Sequence, residues 1–220
     1  MSEIETERLL LRPFRKSDAA DVLEYLTIKL RYGNTNTFLV PGNGGYLLVD
    51  TDYAGTLPAF YKALKTAGVQ LKDIAFVLAT HYHPDHMGLI PELMKQGVSL
   101  LLMDTQTKDV HFSDQIFARE KAMHFVPIDE SKAEVINCRE SRTFLASIGI
   151  AGEIISTPSH SMDSVSLILD DGDCLVGDLE PVEYLSAYED NPALKADWDA
   201  IMSFCPKRIL YSHVNEKIVR

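Results

Sequence analysis

The chain lacks any apolar run of the roughly 20 residues that a membrane-spanning helix requires. Its first residues alternate charge with leucine where a signal peptide needs an unbroken apolar stretch. No membrane association is therefore expected, and a cytoplasmic location is the default. Cysteine is scarce: Cys138, Cys174 and Cys205 are far apart and form no CxxC pair. That spacing argues against a disulfide framework and a thiolate zinc knuckle, and it predicts buried, reduced thiols. Cations are in deficit, with 21 Lys and Arg against 32 Asp and Glu and a net charge of −11. Such a balance opposes counterion release from a phosphate backbone, so nucleic acid is disfavoured as a partner and a small-molecule substrate is expected. Internal repeats and low-complexity segments are missing too.

What remains is an ordinary globular composition, 46% apolar and 24% charged over 220 residues, enough for one catalytic domain with a proper core. From about Ile28 onward, short β-rich runs alternate with helical ones, the pattern of an α/β protein. Strands are predicted at Asn36 to Val40, Tyr46 to Asp50, Ile74 to Thr80, Ser99 to Met103, Glu153 to Thr157, Ser164 to Asp170, Cys174 to Gly177 and Arg208 to Ser212. Turn-rich clusters at 41–45 and 170–173 join two pairs of these as hairpins, so the sheets are expected to be mixed. Helices are predicted at Leu57 to Ala67, Gly88 to Lys95, Thr105 to Met123, Glu140 to Ser147 and Asp197 to Phe204. The third offers either a lid over a pocket or an amphipathic surface helix.

Residues 1–27 are different. Glu5 to Phe14 reads as one strand, and Ser17 can cap a helix from Asp18 to Leu26. This segment resembles the opening strand and helix of GNAT-family N-acetyltransferases, without the Gly-rich pyrophosphate-binding turn that an acetyl-CoA site needs. The resemblance implies a truncated acetyltransferase-like appendage at 1–27, joined to a catalytic domain at 28–220. Leu9, Leu10, Leu11, Phe14, Val22, Leu23, Tyr25 and Leu26 give it an apolar face, which is expected to cover the main domain or to form a homodimer.

The strongest chemical signal is Thr80-His81-Tyr82-His83-Pro84-Asp85-His86, directly after the apolar run Ile74 to Ala79. Imidazole nitrogens and carboxylate oxygens suit zinc and neighbouring divalent metals, and alternate residues of a loop can point to different centres. Downstream, and each beside a predicted strand, come Thr157-Pro158-Ser159-His160-Ser161, Val176-Gly177-Asp178-Leu179 and Tyr211-Ser212-His213. An HxHxDH motif followed in this order by His, Asp and His resembles the metallo-β-lactamase superfamily. The resemblance implies a four-layered αβ/βα sandwich of two mixed β-sheets, with a dinuclear metal site at one edge. It further implies that His81, His83 and His160 bind one ion, that Asp85, His86 and His213 bind the second, and that Asp178 bridges them. The resemblance also implies that Asp50, closing its strand, is a supporting aspartate that orients the metal ligands through hydrogen bonds.

The chemistry implied is hydrolysis by a hydroxide held between two divalent ions, most readily Zn, with Fe or Mn as alternatives. The attacked bond is an ester, lactone, thioester, amide or phosphodiester of a small molecule, with Asp85 orienting the nucleophile or moving its proton. Glutathione-thioester hydrolases carry a C-terminal helical region, and with seven residues after His213 a glutathione thioester is a less expected substrate. Two other readings fit the same residues. One is an oxidoreductase resembling persulfide dioxygenases, with a single iron. The other is a non-catalytic interaction protein whose active part is the N-terminal segment.

Overall fold

The computed structural model describes residues 4–6, 9–11, 26–120, 123, 125–187 and 191–219. Strands β1 (Ile4–Thr6) and β2 (Leu9–Leu11) pair antiparallel with each other. The single strand expected over Glu5 to Phe14 is thus a two-stranded ribbon, because a lone strand leaves its N–H and C=O groups unpaired whereas folding back satisfies them. The helix expected at Asp18 to Leu26 lies almost wholly outside the described residues, and so do Phe14, Val22, Leu23 and Tyr25 of the apolar face expected to cover the main domain or to form a homodimer.

The remaining strands form two sheets. The first comprises β3 (Ile28–Arg31), β4 (Asn36–Gly42), β5 (Gly45–Val49), β6 (Ile74–Leu78), β7 (Ser99–Met103) and β8 (Glu134–Ile136), hydrogen-bonded in that order. The second comprises β9 (Gly152–Ser156), β10 (Val165–Leu169), β11 (Asp173–Leu175), β12 (Arg208–Leu210) and β13 (Lys217–Ile218), also in chain order. Both are mixed: β3, β4 and β5 pair antiparallel while β5 to β8 pair parallel, and β11–β12 is the parallel pair of the second sheet. The two hairpins expected from turn residues are present as β4–β5 and β10–β11.

The helices are α1 (Leu57–Ala67), α2 (Pro84–Met87), α3 (Ile90–Lys95), α4 (Asp114–Arg119), α5 (Cys138–Ser147) and α6 (Pro192–Ser203). Three apolar clusters define the layers. Phe60 and Leu64 of α1 and Ile90 and Leu93 of α3 pack on Leu39, Leu48 and Val77 of the first sheet. Phe38, Val40, Leu47 and Val49 on the opposite face meet Val165, Leu167 and Leu169 of the second sheet. On that sheet's far side, Ile168, Cys174 and Ile209 receive Leu194, Trp198 and Ile201 of α6. A period of two sends Leu47 and Val49 one way and Leu48 the other, so strands buried on both faces read as continuous apolar runs. The result is the expected four-layered αβ/βα sandwich.

Three expectations need correction. Thr105 to Met123 is not one helix: among its described residues only α4 is α-helical, after a 3-10 turn at Asp104–Gln106. Side chains there bind backbone and compete with the helix, Thr107 Oγ1 donating to Asp104 O (2.9 Å) and Ser113 Oγ to Tyr82 O (2.6 Å). Helix α6 starts at Pro192, five residues before the expected Asp197, with the Asn191 side chain accepting from Leu194 N at 3.0 Å. Of the cysteines, Cys174 is buried but Cys205 is exposed, on the turn after α6. Leu167→Ala, in the cluster between the sheets, is expected to lower unfolding free energy by about 2–5 kcal/mol, read as a reduced urea midpoint with an unchanged slope.

Candidate metal centre

Every chemically suspicious residue sits just beyond the C-terminal end of a strand. Asp50 follows β5, the segment 80–86 follows β6, His160 follows β9, Asp178 follows β11 and His213 follows β12. The sandwich therefore brings one edge of both sheets together. There His81 Nε2 lies 3.0 Å from His83 Nδ1, which lies 3.2 Å from His160 Nε2. His213 Nε2 lies 3.2 Å from Asp85 Oδ2, and His86 Nε2 lies 3.8 Å from that same oxygen. Asp178 stands between the trios with one oxygen toward each. Its Oδ1 is 3.3 Å from His86 Nε2 and 3.2 Å from His213 Nε2, while its Oδ2 is 3.9 Å from His81 Nε2 and 3.8 Å from His160 Nε2. All seven residues named from the sequence converge.

Their chemistry fits divalent ions. Donors about 2.0–2.1 Å from a tetrahedral ion sit roughly 3.3 Å apart, the scale of the closer of these separations. With His86 Nδ1 donating to Asp50 Oδ2 at 3.0 Å, the Nε2 lone pair is left facing Asp178 Oδ1, and both atoms are buried without a hydrogen-bond partner. With His213 Nδ1 donating to Asn34 O at 3.2 Å, its Nε2 lone pair likewise faces two carboxylates. Acceptors opposed in this way need a cation between them. Without metal, protons meet that need. Burial opposes charge on His86, but Asp50 and Asp178 outweigh it and raise its pKa to about 10. Hydrogen bonds to Asp178 and Asp85 raise His213 to about 10 as well. His81 is held well below the usual imidazole value by burial and by the neighbouring His86. Asp178 stays far below the carboxylate range because the adjacent His213 and His86 rings outweigh its burial.

A ring of buried acceptors fixes these side chains. The Asp50 carboxylate accepts from Thr80 N (2.7 Å), Thr80 Oγ1 (3.0 Å), Ser212 Oγ (3.0 Å) and His86 Nδ1. Asp50 thus touches His86 and the residues that precede His81 and His213, and it holds an uncommon left-handed backbone (φ 60°) to do so. Gly177 makes the adjoining approach feasible: at φ 59°, an added Cβ would fall 2.5 Å from Thr80 Oγ1.

Four supports went unnoticed in the sequence. Asp52 accepts from Asn34 N (2.7 Å), Thr35 N (3.3 Å) and Tyr53 N (2.7 Å), fixing the carbonyl of Asn34 that orients His213. Asp163 accepts from Tyr82 N at 2.7 Å, between the two histidines of the HxH run. Gln106 donates to Ala79 O (2.9 Å), and Asp197 accepts from Ser159 N (2.8 Å) beside His160. Their signal was faint: short polar residues in loops normally face water, and only the fold buries these. The Tyr82 ring is wholly buried in the first sheet's outer core, so it packs and does not line the pocket. Gly33 has no room for a side chain, since a Cβ there would lie 1.7 Å from Asp52 Oδ2. Gly33→Ala is accordingly expected to cost about 1–3 kcal/mol of stability by chemical denaturation.

Comparison with known proteins agrees with this geometry. The Metallo-beta-lactamase superfamily profile matches residues 30–190. The lactamase-like protein nscB of Trichophyton rubrum is 26% identical over 142 residues, covering 64% of this chain and 36% of its own length. The chain thus spans only about a third of that relative. A hydroxyacylglutathione hydrolase of Bradyrhizobium is 27% identical over 154 residues, 69% of this chain and 48% of the relative. Among solved structures, TTHA1623 in a di-iron-bound form superposes with a TM-score of 0.62 at 23% identity, over 88% of this chain and 94% of that one. No helix among the described residues is long and apolar enough to cross a membrane. On the profile match, the fold and the converging His and Asp side chains, the chain belongs to the metallo-beta-lactamase superfamily.

Proposed function

We propose that this chain is a metal-dependent hydrolase that cleaves an ester, lactone, thioester, amide or phosphodiester of a small molecule at a two-metal site. The observation that carries the proposal is the division of Asp178, one oxygen facing His86 and His213 and the other facing His81 and His160. In this reading His81, His83 and His160 hold one ion, Asp85, His86 and His213 the other, and Asp178 both. Zinc is the expected ion, and iron or manganese would use the same donors. The hydrolase among the relatives and the di-iron form among the structural neighbours are consistent with the reading.

A pair of divalent ions supplies an activated water at neutral pH and polarises the electrophilic oxygen, so no serine or cysteine nucleophile is required. The chain's own residues do the rest. Asp85, partly buried in the second trio, would orient such a water and could take its proton at a carboxylate oxygen. Asp50 keeps the His86 ring turned so that Nε2, not Nδ1, faces the centre. Asn34 does the same for His213 through its carbonyl.

Elemental mass spectrometry of protein purified without added metal or chelator is expected to give about two metal equivalents per chain, with turnover of esters or lactones lost in His81→Ala. One iron per chain with oxygen uptake would sink the proposal in favour of a dioxygenase. Two metals with no turnover across esters, lactones, thioesters and phosphodiesters would leave a binding protein. Asp50→Asn keeps a residue tolerant of the left-handed backbone but removes the charge facing His86. It should weaken metal retention or activity by about 10- to 100-fold with the fold intact by circular dichroism. Because imidazoles bind metal only when deprotonated, and metal-free His86 and His213 hold protons up to about pH 10, metal retained after dialysis should fall progressively as pH is lowered below that value.

A further inference from the structure

Beside the candidate centre lies a cavity of about 250 Å3, walled by Leu179, Pro181, Tyr211 and Val214 and reaching His160, Asp178 and His213. Apart from those three residues, the only ionisable lining groups are Glu180, an exposed carboxylate, and the Tyr211 phenol. The Glu180 carbonyl accepts from Trp198 Nε1 at 2.9 Å, which anchors the backbone carrying that charge. No Lys or Arg lines the cavity among the described residues. The cations flanking Val214 in sequence are engaged elsewhere, Arg208 by Asp173 at 2.5 Å and Lys217 by Glu183. Exposed apolar side chains also adjoin the candidate ligands, two of them outside the cavity lining. Phe112, 54% exposed, stands with its ring centroid 5.3 Å from that of His83, and Met162, two residues after His160, is 78% exposed. Val214, next to His213, is 47% exposed. Large apolar side chains left in water beside three candidate ligands mark a surface made for an apolar group.

We infer that the site takes the uncharged, aliphatic or aromatic flank of its substrate in this cavity and discriminates against a carboxylate there. The physical reason is twofold. The cavity offers an anion no guanidinium or ammonium to replace its lost water, and Glu180 adds like-charge repulsion. This rests on the metal-site part of the proposed function.

The test uses the zinc-loaded full chain and two hydroxamic acids that share a metal-binding head, butanehydroxamic acid and succinic monohydroxamic acid, which differ by a terminal carboxylate. Titration calorimetry is expected to give at least about tenfold tighter binding for the neutral compound. Glu180→Lys, or Val214→Lys should the first variant not fold, is expected to shrink that preference several-fold. Equal affinities, tighter binding of the anion, or no binding of either compound overturns the inference. A preference without hydrolysis of neutral esters defeats the hydrolase reading alone, and hydrolysis without the preference defeats this inference alone.

Discussion

One buried carboxylate ties the site together. Asp50 receives hydrogen bonds from the residue that opens the HxHxDH loop, from one histidine of that loop and from the serine preceding His213, so two chain segments far apart in sequence converge on two oxygen atoms. Ser212 is 162 positions away in sequence and belongs to the other sheet's edge. Burying an aspartate is costly unless its charge is met, and here four donors meet it. The cost of its left-handed backbone is held in place by packing of the Leu47 to Val49 strand from both faces.

The same device recurs around the site. Asp52, Asp163 and Asp197 are all buried, and each accepts from a backbone N–H in a loop that carries or adjoins a candidate ligand. Loops lack the repeating hydrogen bonds of helices and sheets, and a buried carboxylate substitutes for that repeat with short, charge-assisted bonds. Asn36 extends the lacing across the sandwich, its side-chain amide donating to Tyr211 O (2.9 Å) and Val214 O (3.0 Å) on either side of His213. Loop positions fixed in this way hold opposed lone pairs close together, which is the arrangement a cation relieves.

The polarity of the region is therefore layered. Carboxylates and imidazoles are concentrated at the centre, apolar cores lie behind them, and the exposed Phe112 and Val214 adjoin the candidate ligands, Phe112 against the His83 ring and Val214 next to His213. The chain's acidic surplus does not describe the mouth, because charge at the surface and charge at the centre answer to different constraints: solubility for the first, ligation for the second.

By itself the sequence determined an α/β chain with mixed sheets and a row of His and Asp residues at strand ends, because these are local properties that survive without coordinates. The four-layered sandwich, the set of seven residues and the supporting place of Asp50 were legible only through the resemblance to the superfamily that this row of residues carries. Only the tertiary structure decided that Asp52, Asp163, Gln106 and Asp197 are buried supports, since polar loop residues read alike whether they face water or a backbone N–H from a distant segment. It alone broke the Thr105 to Met123 stretch into turns, because Gln106 and Ser113 spend their side chains on the backbone of the 79–82 segment and not on a helix of their own. Long-range hydrogen bonds carry no periodicity, and a linear reading has no access to them.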